Sequence, residues 1–377
     1  MKQEQSSVAK KERQPKRFGN LYGEICDLDN IKAAIMNASK YKRNQKAVCK
    51  IIKNIDEYSR KIQKMLLDES YVPSKYIMKS INDGIQQKRR NIAKPRFYPD
   101  QCIHHALIQV LEPCFMRGMY YYCCGSVSGR GDKRIRKAVT RFITKRPKKA
   151  KYVLKMDVRH FYENIDHDEL KQVLNRKIKD KKVLRLCSLI IDSYPTGIPI
   201  GNYTSQWFCN AFLQDLDHKI KEFVGHDYLY VRYIDDMVII GPNKRKLHKT
   251  RKVVEAELAK KKLDLKQNWQ VFPLEKRPLD FVGVKFYKDG HTEIRKSILR
   301  RIKRKARRIG KMKDHVTVKN AAGMMSYMGR IHHTDSETLF RTEIQPYIVS
   351  TKRLRRIISN EAKLQRKAAE NMVGSAQ

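Results

Sequence analysis

With 377 residues, 41% hydrophobic and 9% aromatic, the chain has apolar material for two or three connected cores, which excludes a largely disordered protein. Its 82 Lys+Arg against 39 Asp+Glu leave a formal net charge of +43 spread along the whole length. Self-repulsion of that size is tolerated where a polyanion neutralises it, so nucleic acid is the leading partner, and the plainer alternatives are a generic basic surface or an anionic-membrane binder. The eight cysteines form no CxxC pair and no Cys/His cluster at zinc spacing, the N-terminus has no apolar signal core, and no uncharged apolar run is long enough to span a bilayer. These features predict reduced thiols, no membrane partner and a cytoplasmic location.

In chain order, residues 1–17 read as a flexible basic arm. From Leu21 to about Leu67 apolar residues at helical spacing among lysines predict two basic amphipathic helices. YVPSKYIMKSINDGIQQKRRNIAKPRFYPDQ predicts short strands and turns, IHHALIQVLEPCF a helix, and RIRKAVTRFITKRPKKA a basic helix that follows the glycine loop of GSVSGRGDKR. Residues 151–290 alternate strands and helices: YVLKMDV, a helix through DELKQVLNRKI, one after Ser205, YLYVRYIDDMVII, a helix over KLHKTRKVVEAELAKKK, then LDFVGVKFY. That order predicts an α+β sheet covered on one face. From Lys296 the chain is helical and extremely basic, ending in a polar tail after about Gln365.

The chemistry concentrates in carboxylates. Asp157 ends an apolar strand, where an unpaired carboxylate is costly and a cation is expected. Asp235 and Asp236 sit between two β-rich runs, at the tip of an expected hairpin. Adjacent positions on extended chain point to opposite sides, so one of the two should dominate metal binding while the other assists or packs. Oxygen ligands from two separate strands suit a pair of Mg²⁺ ions about 3.5–4 Å apart, which activate a hydroxyl and stabilise a leaving phosphate. A lone YxDD arises readily by chance; the strand-ending Asp157 makes chance less attractive. The pairs His104/His105 and His332/His333, and His160, lack zinc spacing and are assigned no metal. Trp207 and Trp269 could stack on bases, although Trp207 in an apolar helix start suits a core.

Taken together, KPRFYPDQCIHHALIQVLEP, KMDVRHFYENID, YIDD, LDFVGVKF and MMSYMGRIHHTDSETLF resemble, in order, the blocks of bacterial retroelement reverse transcriptases, over roughly residues 20–350. The resemblance implies an α+β right-hand polymerase with fingers, a ferredoxin-like palm sheet and a helical thumb. The arm of 1–17 would precede fingers over 18–150, with first palm elements from about 95, a palm over 151–292, a thumb over 293–365 and a tail over 366–377. It implies metal holding by Asp157, Val158, Asp235 and Asp236, with catalysis by the three aspartates, and two Mg²⁺ ions for which Mn²⁺ can substitute. Tyr162 would be the aromatic gate that excludes a 2′-hydroxyl; its alternative is ordinary core. Arg130 and Lys133 would face the incoming triphosphate, although the usual fingers pattern has an aromatic and an arginine where this chain has Val127 and Ser128.

GIPIGNYTSQWFCN is similar to the diversity-generating retroelement class, in which an apolar residue and Ser-Gln replace the usual glutamine and Ser-Pro. Ile200, Gly201, Ser205 and Gln206 would then line the nucleotide pocket. Replacing an amide by Ile200 removes hydrogen-bonding groups that check nucleotide geometry, which points to errors at template adenines; the plainer alternative is that Ile200 is core. The chain has YIDD where that class often has YMDD. The implied partners are a template RNA, the RNA/cDNA duplex, dNTPs and a small accessory protein. The duplex would be tracked by Arg300, Arg301, Lys303, Arg304, Arg307 and Arg308, with a merely solvated basic helix as the alternative. No room is expected after the thumb for an endonuclease, integrase or RNase H domain. Competing readings are an antiphage-defence or retron-like enzyme, and a catalytically silent RNA-binding protein, against which the intact aspartates count.

Overall fold

The computed structural model describes residues 17–83, 88–312, 315–348, 350–360 and 363. The expected arm, up to residue 16, and the expected tail over 366–377 lie outside them. Between Leu21 and Leu67 there are four helices where two were expected: α1 (Tyr22–Cys26), α2 (Leu28–Ala38), α3 (Lys46–Lys53) and α4 (Ile55–Leu67). Asp27 is extended, and its Oδ1 accepts from Asp29 N and Asn30 N at 2.9 and 3.0 Å, so a new helix starts where α1 stops. Asn54, at φ −114 and ψ 42, breaks α3 from α4.

The hairpin of β1 (Ile77–Asp83) and β2 (Lys88–Lys94) follows, then α5 (Cys102–Met116) and α6 (Gly131–Lys145). Next come β3 (Tyr152–Asp157), α7 (His167–Lys177), α8 (Lys181–Asp192), α9 (Tyr203–Phe212) and α10 (Gln214–Val224). Sequence reading passed over α8, although Val183, Leu186, Cys187, Ile190 and Ile191 keep helical spacing and are all buried. Helix α9 starts at Tyr203, before Ser205, not after it as expected. Then follow β4 (Leu229–Tyr233), β5 (Asp236–Gly241), α11 (Lys244–Ala259), β6 (Gln270–Pro273), β7 (Leu279–Phe281), β8 (Val284–Phe286) and β9 (Thr292–Ile294). LDFVGVKFY is thus two strands, not one, because Val282 and Gly283 both turn at positive φ. Helices α12 (Lys296–Met312), α13 (Val318–Ile331) and α14 (Glu337–Glu343) complete the labelled elements. Among the described residues no helix is long and apolar enough to cross a membrane.

The fold is α+β and groups into two units, each assembled from several chain segments. One contains residues up to 121, 158–219 and 254–265. There α5 is buried along most of its length, with Ile103, Leu107, Leu111 and Phe115 wholly enclosed, and it packs on α2 and α9. The other contains 122–157, 220–253 and 266 onward. Its four-stranded antiparallel sheet runs β4-β5-β3-β6, the order of a β-α-β-β-α-β ferredoxin-like unit, as expected. Val153, Val231, Val238 and Ile240 share one face and pack with Ile135, Val139 and Phe142 of α6 and with Phe281 and Phe286. A separate core joins Ile298, Ile302 and Ile309 of α12 to Met324, Met328 and Ile331 of α13.

Candidate active site

The sheet brings the three predicted aspartates together. Asp157, last residue of β3, stands directly opposite Asp236, first residue of β5, and Asp235 lies in the two-residue turn between β4 and β5. Residues opposite one another on neighbouring antiparallel strands project to the same face. Burial, followed by the negative charges of Asp157 and Asp236, pushes the Asp235 carboxyl up to about 7. Asp236 is also raised, by burial first and Asp157 second, against the cations of Lys155, Lys266 and Arg295. The site is therefore short of positive charge.

Lys266 Nζ donates to Asp157 Oδ2, and the backbone N–H of Lys266 donates to Asp157 O at 2.8 Å. Lys155 is committed elsewhere, donating to Asp280 O at 2.8 Å, while Asp280 pairs with Arg295 at 2.7 Å. Asp157 Oδ1 is buried and meets no N–H or O–H donor. A buried acceptor without a donor, beside carboxylates that burial and mutual repulsion disfavour as anions, fits a cation. Among the described residues no three His, Cys, Asp or Glu side chains form a ready cage. An incomplete set of oxygens suits a hard divalent cation that takes one or two carboxylates and completes its shell with water and substrate phosphates.

A support beneath the turn escaped sequence reading. Ile234 has φ +58, costly for a β-branched residue, so something must hold it. Wholly buried Arg232 does so: its Nη1 donates to Ile234 O at 2.8 Å and its Nη2 to Cys123 Sγ at 3.2 Å. Cys124 N donates to Arg232 O at 2.9 Å, and Arg232 N to Tyr122 O at 3.1 Å, laying the 122–125 segment along β4. A Cβ on Gly125 would come within 2.6 Å of Ile234 N, so only glycine lets this segment approach the turn. An arginine inside the apolar run YVRYIDD was the available signal.

The remaining predicted residues fall in distinct places. Val158 is buried and bridges Leu265. Arg130 directly precedes α6 and donates from Nη1 to Cys123 O at 3.1 Å, whereas Lys133 is exposed on α6. In the other unit, Ile198 N donates to Tyr162 O at 2.8 Å, tying half-buried Tyr162 to the loop that carries Ile200 and Gly201. Ile200 is 37% exposed, so it is not core. A Cβ on Gly201 would meet Ala93 O of β2 at 2.1 Å, which requires glycine there. Ser205 is buried in α9 and Gln206 half-buried. Asn202 Nδ2 donates to Tyr76 OH at 2.9 Å, a further brace of this loop. On α12, Arg300, Arg304, Arg307 and Arg308 are exposed, Arg301 is half-buried, and Lys303 is paired with Glu343. His104 is enclosed and His105 stacks on Tyr203, with ring centroids 3.8 Å apart.

A family model described as reverse transcriptase (RNA-dependent DNA polymerase) matches residues 86–286, over half of the chain. Among solved structures, apo telomerase from Candida tropicalis is similar at 15% identity, over 59% of this chain and 49% of that one, with a TM-score of 0.47. Telomerase from Candida albicans in complex with a TWJ fragment of telomeric RNA is similar at 13% identity, over 73% and 57% of the two chains, with a TM-score of 0.46. The chain thus spans about half of the length of these structures.

Proposed function

Because the chain belongs to the reverse transcriptase family, we propose that it is an RNA-directed DNA polymerase that copies a structured template RNA into cDNA at the carboxylates of the β3 end and the β4–β5 turn. Residues 18–150, 151–292 and 293–365 serve as fingers, palm and thumb. The observation that carries the site assignment is the pairing of Asp157 with Asp236 across the sheet, with Asp235 crowding both. Asp157, Asp235 and Asp236 would hold the metal together with water and substrate oxygens, with Val158 beside them. Two bound Mg²⁺ ions, or Mn²⁺ in their place, would lower the pKa of the primer 3′-hydroxyl and offset charge on the transferred phosphate. Arg232 and Gly125 keep the turn in its strained form, so Asp235 is preorganised rather than recruited. Lys266 holds Asp157 in place from the side.

Tyr162 is the sugar gate, and Ile200, Gly201, Ser205 and Gln206 line the nucleotide and template pocket, with Arg130 and Lys133 toward the triphosphate. The exposure of Ile200 supports a pocket-lining role over a core one. With no amide there, nucleotide geometry is checked less strictly, which favours the error-prone diversity-generating class over an antiphage-defence or retron-like role, with a small accessory protein as the expected partner. The exposed arginines of α12 follow the RNA/cDNA duplex through its phosphates.

Asp235→Asn tests the site. Primer extension should fall at least about a thousandfold. RNA affinity should stay within about twofold, since one carboxylate is removed from a chain of net charge +43. Extension at the wild-type rate would remove the carboxylates from the chemistry.

A further inference from the structure

We propose that the groove between α6 and the turn that follows α13 is a second RNA site, one that takes the phosphodiester backbone of a structured RNA. The identity of the polyanion rests on the polymerase reading above; the site itself does not.

Along α6, Lys137, Arg141 and Lys145 recur every four residues beyond the triphosphate candidate Lys133, and all three are exposed. At 1.5 Å per residue they form a row of cations about 6 Å apart, close to the spacing of successive phosphates on one strand. Like charges at this separation destabilise a helix by about 0.2–0.5 kcal/mol per pair, and no acid interrupts the row to relieve them. A bound polyanion would.

The row borders a groove of about 820 Å³, whose other wall is the 332–335 turn. Arg136, one of its lining residues, is the second observation. Its side chain is 9% exposed, and its Nε is buried with no hydrogen-bond partner. Its other nitrogens are weakly engaged, Nη1 donating to His333 O at 3.3 Å and Nη2 lying 3.7 Å from the Asp132 carboxylate. A buried guanidinium with an unused donor is costly unless an acceptor arrives, and phosphate is the acceptor its geometry matches.

The acids nearby do not cancel the row. Asp335 Oδ2 already accepts from Thr292 N at 2.7 Å and Thr292 Oγ1 at 2.9 Å, and Asp132 faces Arg136. The regular spacing favours a strand of RNA over an acidic protein segment, whose carboxylates need not repeat at that interval.

The test uses the full chain and the double charge reversal Lys137→Glu/Arg141→Glu, at exposed positions that make no contact with the carboxylates. A long folded RNA and a short pre-annealed primer–template are the two probes. Affinity for the folded RNA should drop about tenfold or more, and the slope of log affinity against log salt should become shallower by about 1.5–2. Extension of the short primer–template should keep its wild-type rate. Unchanged affinity and salt slope for the folded RNA would overturn the proposal, as would an equal loss on the short substrate, which would assign the row to the primer–template path. Displacement of the folded RNA by polyglutamate at equal charge concentration would also overturn it, in favour of an acidic protein partner. A wild-type chain that binds folded RNA through this row yet extends no primer would instead refute the polymerase reading and leave the groove standing.

Discussion

Asp235 and Ile200 carry the most chemistry per atom. The carboxyl of the first is pushed up to about 7 by burial and two neighbouring carboxylates, so a cation there would offset the repulsion from both. The second is exposed, and in the proposed nucleotide pocket it would offer an apolar surface in place of an amide that tests the incoming sugar and base. Ile200→Gln should lower misincorporation opposite template adenines, read by sequencing cDNA copied from one template by both proteins. An identical error spectrum would place fidelity elsewhere. His104 makes a different prediction. It is enclosed in α5, burial pushes its imidazole down to about 3, and its Nδ1 has no partner. Between about 3 and its ordinary 6.5, the unfolded chain binds a proton that the folded chain refuses. Stability is therefore complete above pH 6.5 and falls as pH drops below it, by about 2–3 kcal/mol at pH 4.5. Urea midpoints across this range should slope less steeply in His104→Leu than in the parent.

At the scale of elements, the β4–β5 hairpin needs more than its own sequence. A two-residue turn with a β-branched residue at positive φ persists because Arg232 bonds its carbonyl and the 122–125 segment lies close beneath. Gly125→Ala should push the turn outward, costing about 1–3 kcal/mol in stability. It should also slow primer extension about a hundredfold, because displacement of a catalytic group by an ångström is enough for that. Thermal unfolding and extension assays measure the two effects separately. Extension at parental rates would mean that the turn holds its form unaided. The loop over 197–201 follows the same logic: Gly201 abuts β2 and Ile198 bonds Tyr162, so the gate candidate and the exposed isoleucine are tied to one braced loop.

For the molecule as a whole, net charge governs partner and conditions. At +43, binding to RNA releases many counterions, and with six to ten phosphate contacts affinity should fall by about 10³–10⁵ between 50 and 200 mM salt. Filter binding over that range checks it, and a flat response would mean that the charge is solvated and idle. On the proposed reading, the exposed arginines of α12 and the row on α6 would be separate contributors to this slope, and Lys303 would contribute less because Glu343 holds it.

The amino-acid sequence by itself determined what depends on near neighbours. Alternation identified β3 with Asp157 at its end, the hairpin around Asp235 and Asp236, and the basic helices, since burial of every second or every third to fourth residue is written in local order. The count of helices before Leu67 and the break at Val282-Gly283 were not legible that way. They turn on single caps and positive φ values that periodicity averages over. Only the tertiary structure decided that β3 lies between β5 and β6, that Lys266 reaches Asp157, that the arginine bracing the turn is itself anchored on distant Cys123, and that Ile200 faces outward. Those are contacts between distant segments, fixed by how the layers pack and where buried polar groups find partners, and no local pattern encodes them.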